Sequence, residues 1–537
     1  MNMKKYMLIA LSMALLSSCE GWLGEKNPMV TEVKDFFTSK ETADQVLTAV
    51  YTPLMWEFQN TYYSEFFFGD VMSDDALKGG QNISDMSTAY DLENFRTISN
   101  NETVLQFYRA QYQGIGRANL AIEQIAAMEN DESFTKEYQD RLLGEAKFLR
   151  AYYYFRLVRL YGGVPLVTDP IYSADSWKQP RASVEDVYAR ICKDLEDAEK
   201  VLPNKSGYED AEMGHVTKGA AQAMLLKAYL YQHNYSEAVK WGKKFMDEQD
   251  GSEYSLCPVY ADNFTLAGEN GVESVFEIQY MDEGMSDYGE GNGFSRGTFA
   301  VMLMRSRSAA FCGANVKAGW GFNKPTQNLY DEYEDGDVRR DATILNLTDG
   351  QITNPVEEIY LGNRYITIKR TMLEDGKYIP LSHEARAPIN NIQIRLADVY
   401  LMYAEACNED HDAATAKIYL EKVRARARGT EPVLPEFPGY SVPDYTAGYA
   451  AHALTDTEAD LRLAIRHERR VELAMESHRW YDLCRWSIAK EVMDAYKATE
   501  TPEAQAHMND FVKGKHELLP IPSEEVRLGG LEQNFGY

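Results

Sequence analysis

Apolar residues recur at three- and four-residue spacing through most of the chain, which is the pattern of amphipathic helices. This pattern predicts helices over residues 41–57, 103–128, 136–161, 183–202, 217–232, 236–248, 394–408, 413–427 and 455–489. Short candidate strands occur at residues 274–279 and 364–369. We therefore predict a mainly α fold in which strands are few and short.

The helical pattern fails between residues 249 and 388, where Gly, Pro, Asn and Tyr become frequent. A long irregular insertion within a helical scaffold is usually functional or disordered, and the aromatic content of this one argues against disorder. We predict one compact unit with four stretches: a signal peptide at 1–18, an N-terminal helical region at 19–249, a loop-rich insertion with the ligand site at 250–392, and a C-terminal helical region at 393–537.

Two stretches are similar to the helix pairs of tetratricopeptide repeats. Residues 228–238 have small side chains where two helices must approach closely, and residues 401–427 form a weaker pair around a break at 410–412. The two pairs lie far apart in sequence, so the pattern does not predict a regular array.

The N-terminus has the layout of a secretory signal with a lipidated cut site. Lys4 and Lys5 precede an apolar stretch at residues 6–16, and small residues then lead to Cys19. The stretch is shorter than the roughly 20 residues that span a bilayer. We predict lipidation at Cys19 and a water-soluble chain beyond it, with a plain secreted protein as the alternative.

The composition is that of an acidic globular protein, with a net charge of −28 over 537 residues. Binding to nucleic acid requires clustered Lys and Arg, so this charge argues against it. The other five cysteines are far apart and form no Cys-x-x-Cys motif, which argues against a disulfide framework and a zinc site. They are Cys192, Cys257, Cys312, Cys407 and Cys484.

Like charges repeat every four residues in the helix predicted at 455–489. The rows are Glu468, Glu472 and Glu476, and Arg462, Arg466 and Arg470. Such rows destabilise an isolated helix, so we predict that they join an ion-pair network with other helices. Three-residue spacing also predicts the pairs Arg469–Glu472 and Arg479–Asp482. Motifs of zinc proteases, serine hydrolases, EF-hands and dinucleotide sites are not found in the sequence.

Five ordered blocks resemble the signatures of the SusD/RagB family. The first is GEAKFLRAYYYF at 144–155 with YGGVPLV at 161–167. The second has WG at 320–321, PT at 325–326 and GDVRRD at 336–341, and the third is RLADVYLMYAEA at 395–406. The fourth is IRHERRVELA at 465–474 with HRWYDLCRW at 478–486, and LPIP at 519–522 with QNFGY at 533–537 forms the ending.

This resemblance implies an outer-membrane lipoprotein at the cell surface of a Bacteroidetes-type bacterium. Such a protein captures a nutrient glycan and delivers it to a SusC-type TonB-dependent transporter. The resemblance also implies a SusD-like helical scaffold with tetratricopeptide-like helix pairs, no catalysis and no obligatory cofactor or metal.

A glycan site needs aromatic rings against the sugar faces and polar groups that exchange hydrogen bonds with the hydroxyls. Loop residues of these types are the candidate ligands: Asp74, Asp75, Asn82, Tyr90, Tyr288, Phe294, Arg296, Trp320 and Phe322. For Trp320 a structural role suits its place in the second block equally well. Tyr62, Tyr63 and Phe66 to Phe68 form the densest aromatic cluster, which we assign to the core.

Two other functions remain open. The chain is also consistent with a transporter lid for a non-glycan nutrient such as peptides. A surface glycosidase is conceivable, because Asp74 and Asp75, or Glu283, Asp287 and Glu290, supply carboxylates in loops.

Overall fold

The structure, a computed structural model, describes residues 37–57, 61–173, 176–282, 296–313, 316–428 and 434–537. Its first eight helices are α1 Lys40–Tyr51, α2 Phe66–Gly69, α3 Ser87–Glu93, α4 Glu102–Ala127, α5 Lys136–Tyr161, α6 Val184–Glu199, α7 Lys218–Tyr231 and α8 Tyr235–Glu248. The middle region has α9 Ala300–Met304, α10 Gln327–Glu332, α11 Val338–Thr343 and α12 Pro355–Glu358. The last helices are α13 Leu396–Glu409, α14 Ala413–Ala427, α15 Glu458–Leu473, α16 Arg479–Arg485, α17 Ala489–Lys497, α18 Pro502–Gln505 and α19 Ser523–Gly529.

The strands are short and pair two by two. They are β1 Ala76–Gly79, β2 Ser274–Ile278, β3 Phe322–Pro325, β4 Ile344–Asn346, β5 Tyr365–Thr367, β6 Leu373–Glu374, β7 Lys377–Tyr378, β8 Asn391–Arg395, β9 Ser441–Asp444 and β10 Ala450–Ala453. The pairs β1–β3, β2–β8, β4–β5, β6–β7 and β9–β10 are all antiparallel. The prediction of a mainly α fold is confirmed.

The long helices begin at the capping residues that the sequence supplies. Asn101, Thr135, Ser183 and Thr217 each accept a hydrogen bond from a backbone N–H in the first turn of α4, α5, α6 and α7. Helix α5 is buried on nearly every side from Gly144 onward. The hydroxyls of Tyr153, Tyr154 and Tyr161 are satisfied by donating to backbone carbonyls of other segments.

The two tetratricopeptide-like helix pairs adjoin in space. Helices α7 and α8 form one pair, α13 and α14 form the other, and α8 packs against α13. A Cβ atom at Gly242 would lie 2.3 Å from the ring of Tyr403, so only glycine permits this close approach. The pairs that the sequence separates are therefore neighbours in the core.

The helix predicted at 455–489 is two helices. Helix α15 ends at Leu473 and α16 begins at Arg479, with Met475 and Ser477 in the left-handed region at φ 62° and 66°. At the N-terminal end, the helix predicted at 41–57 ends at Tyr51, because Pro53 lies in the 3₁₀ turn Thr52–Met55 that follows.

The predicted ion-pair network is confirmed around α15. Glu472 is buried and accepts hydrogen bonds from Arg339, Arg395 and Arg426. Glu468 binds Arg339 and Arg424, so the carboxylates of one helix are neutralised by arginines from other segments. Burial alone would raise the pKa of Glu472, but the three guanidinium groups hold it far below its usual range.

The predicted pairs Arg469–Glu472 and Arg479–Asp482 are wrong. The Arg469 side chain instead binds Asp398 and Asp482, and Arg479 binds Asp74. Within a helix three-residue spacing allows contact, but the carboxylates here have other partners. Glu472 pairs with arginines from other segments, and Asp482 pairs with Arg469 and Arg485.

Candidate functional site

Three aromatic rings from separate segments meet at the surface in what we call the aromatic trio, Tyr62, Phe299 and Trp320. The rings of Tyr62 and Phe299 stack with centroids 4.9 Å apart, and Trp320 meets them edge-on at 5.6 and 5.2 Å. Phe299 is fully buried, whereas Tyr62 and Trp320 are half-buried. The trio therefore has a rigid base and two rings with accessible surface.

Two sets of contacts fix the trio. The buried carboxylate of Glu57 accepts from the Thr298 hydroxyl at 2.7 Å and from the backbone N–H groups of Phe299 and Ala300 at 2.6 and 3.2 Å. It thereby holds the start of α9 beneath the rings. The backbone N–H of Trp320 donates to the Met302 carbonyl at 2.8 Å, which joins Trp320 to the same helix.

The β1–β3 pair brings a second loop to the trio. Gly79 lies opposite Phe322, and the Gly80 N–H donates to the Gly321 carbonyl at 2.8 Å. The segment that follows, residues 80–86, is called the Asn82 loop here, and its Asn82 side chain is exposed. The sequence thus places two of the predicted ligand segments side by side.

A cleft of about 220 Å³ lies close to the trio, because Met302 lines it and the Met302 carbonyl accepts from the backbone N–H of Trp320. The cleft is lined by Met302, Arg305, Val316, Lys317, Leu381, Ser382, His383 and Glu384. Both apolar and polar side chains therefore line this cavity.

Charge in the cleft is arranged in two layers. At the rim, Lys317 and Glu384 form an ion pair at 2.7 Å. Beneath them, Arg305 is buried and donates to the carbonyls of Thr371 and Ile379 at 2.9 and 2.8 Å. Burial lowers the pKa of Arg305 to about 10, so the guanidinium remains charged at neutral pH.

Asp74 and Asp75 do not belong to this surface. Both are buried, with Asp74 bound to Arg479 and Arg470 and Asp75 bound to Arg470. Burial opposes ionisation, yet the two arginines hold the pKa of Asp74 well below its usual range. The prediction that these carboxylates face a ligand is wrong, because the fold uses them to neutralise buried arginines.

Phe322 and Tyr90 are also interior residues. Phe322 is 1% exposed, with its ring edge-on to Phe67 at 6.0 Å. Tyr90 is 8% exposed, and its hydroxyl shares a hydrogen bond with His507 Nδ1 at 3.1 Å. Little or none of either side chain is accessible, since β3 and α3 turn these positions toward the core.

The remaining predicted ligands divide into two groups. Asn82 and Arg296 are exposed, and Trp320 is half-buried in the trio, so these three stay predictions. Tyr288, Phe294 and the lipidation residue Cys19 lie outside the described residues, as do Glu283, Asp287 and Glu290.

Tyr62 and the cleft residues at 381–384 are the part of the site that the sequence analysis missed. The core assignment holds for Tyr63, Phe66, Phe67 and Phe68, which are all buried. Tyr62 differs from them only by its position at the start of the run. No local pattern distinguishes it, because the accessible part of its ring is determined by packing against Phe299 and Trp320, which are distant in sequence.

Neither a metal site nor a membrane-spanning helix is found among the residues that the structure describes. No group of three or more His, Cys, Asp or Glu side chains among these residues is arranged to hold a metal ion. No described helix combines the length and the apolar character needed to cross a membrane.

The fold is a mainly helical scaffold on which loop segments bring aromatic rings together. Comparison with known proteins shows the family to which this scaffold belongs. The SusD family model matches residues 362–537, and a SusD-like model described as "Starch-binding associating with outer membrane" matches residues 21–230. Together they leave residues 1–20 and 231–361 unmatched. The chain belongs to the SusD/RagB family.

Individual relatives support this assignment over nearly the whole length. A SusD-like protein of Formosa agariphila is 25% identical over 546 residues, covering 95% of this chain and 94% of its own. A solved structure named as a laminarin-binding SusD-like protein is 28% identical with a TM-score of 0.74, covering 93% of this chain and 100% of its own. Surface glycan-binding protein A from Bacteroides thetaiotaomicron, solved with laminarihexaose, is 23% identical with a TM-score of 0.73, covering 93% and 100%.

Proposed function

We propose that this protein is a cell-surface lipoprotein that binds a nutrient glycan and delivers it to a SusC-type TonB-dependent outer-membrane transporter. The observation that carries the proposal is the aromatic trio beside the cleft. Tyr62 and Trp320 offer ring surface, and Phe299 keeps those rings in place from below. Pyranose rings have apolar C–H faces that pack on such surfaces.

Polar groups near the trio are of the types that form hydrogen bonds with sugar hydroxyls. Asn82 is exposed on the loop that is hydrogen-bonded to the segment of Trp320, and Lys317, Ser382, His383 and Glu384 line the cleft. Amides, hydroxyls and charged groups exchange hydrogen bonds with sugar hydroxyls, and those contacts set which sugar binds. The laminarin-binding relative makes laminarin oligosaccharides the first ligands to examine.

We propose binding without cleavage. The carboxylate pair that would have suited a glycosidase, Asp74 and Asp75, is buried and held by Arg470 and Arg479. A general acid needs a raised pKa and contact with the glycosidic oxygen. Burial raises the pKa of Asp75 and the arginines lower that of Asp74, but both carboxylates are buried, so neither can contact a glycosidic oxygen.

A binding assay with product analysis tests this function. A soluble protein beginning at Glu20 would be screened against a glycan array, with titration calorimetry on the hits and chromatography of the recovered glycan. We expect a narrow set of glycans to bind and to be recovered intact. Shortened glycan products would identify an enzyme, and a blank array with co-purification of the transporter would favour a lid for peptides or another nutrient.

The lipid anchor at Cys19 is tested separately. The Cys19→Ser variant removes the thiol that would carry the lipid. A lipid group with more than one acyl chain is enough to hold a protein on a membrane. We expect the wild-type protein in the membrane pellet and the variant in the soluble fraction. A variant that remains in the pellet would contradict lipidation as the means of attachment.

A further inference from the structure

The Asn82 loop is wound around a buried ammonium group, that of Lys78 at the end of β1. Lys78 is fully buried, and its Nζ donates to three backbone carbonyls: Gly79 at 2.7 Å, Asn82 at 3.1 Å and Asp85 at 2.6 Å. All three belong to one short stretch of chain. A single cation thus gathers the carbonyls of the loop as a bound metal ion would.

Aromatic faces complete the surroundings of the ammonium. Its Nζ lies 5.2 Å from the centroid of the Phe322 ring and 5.0 Å from that of Tyr360. Both distances are within the range of cation–π attraction. Burial lowers the pKa of Lys78 to about 8, while Glu93 and Asp85 act to keep it charged, so the group is protonated at neutral pH.

The loop's own hydrogen bonds depend on this arrangement. Asn82 Oδ1 accepts from the N–H groups of Ser84 and Asp85 at 2.9 and 3.2 Å, and Asp85 Oδ2 accepts from Gln81 N–H at 2.9 Å. Gly80, at φ 74°, lets the chain turn from β1 into the loop. Since Oδ1 is used internally, the Nδ2 amide is the part of the exposed Asn82 side chain that can donate to a ligand hydroxyl.

We propose that Lys78 is a positioning residue of the ligand site, which holds the Asn82 loop so that the Asn82 amide is presented beside Trp320. A hydrogen bond joins the loop to the segment that carries Trp320, because the Gly80 N–H donates to the carbonyl of Gly321, the next residue in sequence. The ligand role rests on the glycan function proposed above, whereas the hold on the loop does not.

The strand partner of β1 supplies a matched control. Lys324 on β3 is also buried, at 2% exposed, and burial lowers its pKa to about 8 as well. Its ammonium, however, donates to the Glu358 carbonyl at 3.1 Å and pairs with the Glu358 carboxylate at 3.7 Å, outside the Asn82 loop. Lys78→Met and Lys324→Met therefore remove the same charge from neighbouring strands.

The test combines hydrogen exchange with ligand titration in the soluble protein beginning at Glu20. In Lys78→Met we expect faster exchange at the amides of Gln81, Ser84 and Asp85, and an affinity for laminarihexaose, or for the array hit, about tenfold weaker, since the ligand must then order the loop. In Lys324→Met we expect exchange in the loop and the affinity to stay as in the wild type. Unchanged exchange in Lys78→Met would overturn the proposal.

Two further outcomes are decisive. Faster loop exchange in Lys78→Met with unchanged glycan affinity would overturn the ligand role while leaving the glycan function standing. A wild-type protein that binds no glycan would refute the glycan function, and with it the ligand role of Lys78. If Lys78→Met does not fold, Lys78→Gln takes its place. Failure of both beside a folded Lys324→Met would show that Lys78 supports the whole β1–β3 pair and would also overturn the proposal.

Discussion

Arg479 binds Asp74 through two parallel hydrogen bonds, in which Nε donates to Oδ1 and Nη2 donates to Oδ2, each at 2.8 Å. The two residues are 405 positions apart in sequence. Both side chains are buried, and Asp74 also pairs with Arg470 at 3.0 Å. The contact joins the segment that precedes β1 to the start of α16. The position of β1, and of the Asn82 loop that follows it, therefore depends on the C-terminal part of the fold.

Replacing Asp74 by Asn should destabilise the protein without a specific effect on ligand binding. The change leaves the Arg479 guanidinium buried without its counter-charge, a loss of about 3–5 kcal/mol. Urea unfolding followed by circular dichroism measures it. Asp510→Asn, which removes an exposed partner of Lys497, is the control and should leave the unfolding midpoint unchanged. A stable Asp74→Asn protein with lost glycan binding would instead restore Asp74 as a ligand residue.

The stability should fall between about pH 6.5 and 9 through His467. Burial disfavours the imidazolium, but hydrogen bonds to Glu332 and Glu334 outweigh it and raise the pKa of His467 to about 9. Because the folded-state pKa lies above the unfolded value of about 6.5, the folded protein binds this proton more tightly. The contribution is fully present below pH 6.5 and is lost as pH rises to 9, on the order of 3 kcal/mol.

Urea midpoints of wild type and His467→Gln across this pH range isolate the effect, since other titrating groups are common to both proteins. The difference between them should shrink as pH rises. His452→Gln, at a partly exposed imidazole paired with the buried Asp460, serves as the control. A constant difference between wild type and His467→Gln would show that folding does not raise the pKa of His467.

Trp320→Ala and Phe322→Ala should separate ligand contact from core packing. Trp320 is half-buried in the aromatic trio, so its loss should weaken glycan binding at least tenfold, equivalent to about 1.4 kcal/mol, with a modest change in melting temperature. Phe322 is 1% exposed, so its truncation should lower the free energy of unfolding by about 3–5 kcal/mol. Calorimetric titration and thermal unfolding of both variants decide. Full affinity in a folded Trp320→Ala protein would assign Trp320 a structural role.

Glu57→Ala should loosen the base of the trio. It leaves the Phe299 N–H and the Thr298 hydroxyl without their acceptor, at a cost of about 2 kcal/mol in unfolding free energy. We also expect a several-fold weaker glycan affinity, since Phe299 supports the two accessible rings. Ser183→Ala removes the cap of the remote helix α6 and should lower stability while sparing affinity. Equal affinities in the two variants would separate Glu57 from the site.

The long helices were predictable because each carries its own apolar spacing, whereas no prediction covered short helices such as α2, α9 and α12. The bounds of α5 agree with its apolar spacing at both ends, helped by the cap at Thr135 and by the glycine after Tyr161. The break after Leu473 was not predictable, since no Gly or Pro marks it. Met475 and Ser477 take left-handed conformations there because the surrounding packing requires the turn, which is a tertiary effect.

The site was less predictable for a related reason. An Asp in a loop reads as solvated until its partner is known, and the partners of Asp74 and Asp75 lie about four hundred residues away in sequence. In the same way, Phe322 and Trp320 stand two positions apart in one aromatic, glycine-containing segment. Only the pairing of β1 with β3 buries the first and leaves the second partly accessible.

The long sequence separation of Asp74 from Arg479 also sets the order of events while the chain is being made. At about 5–20 residues per second, the ribosome adds the 405 residues between them in roughly 20 to 80 s. Throughout that interval Asp74 stays hydrated, because its neutralising arginine does not yet exist. The contacts that bury Asp74 therefore form only after the C-terminal segment has been synthesised, so the β1 region reaches its final packing late.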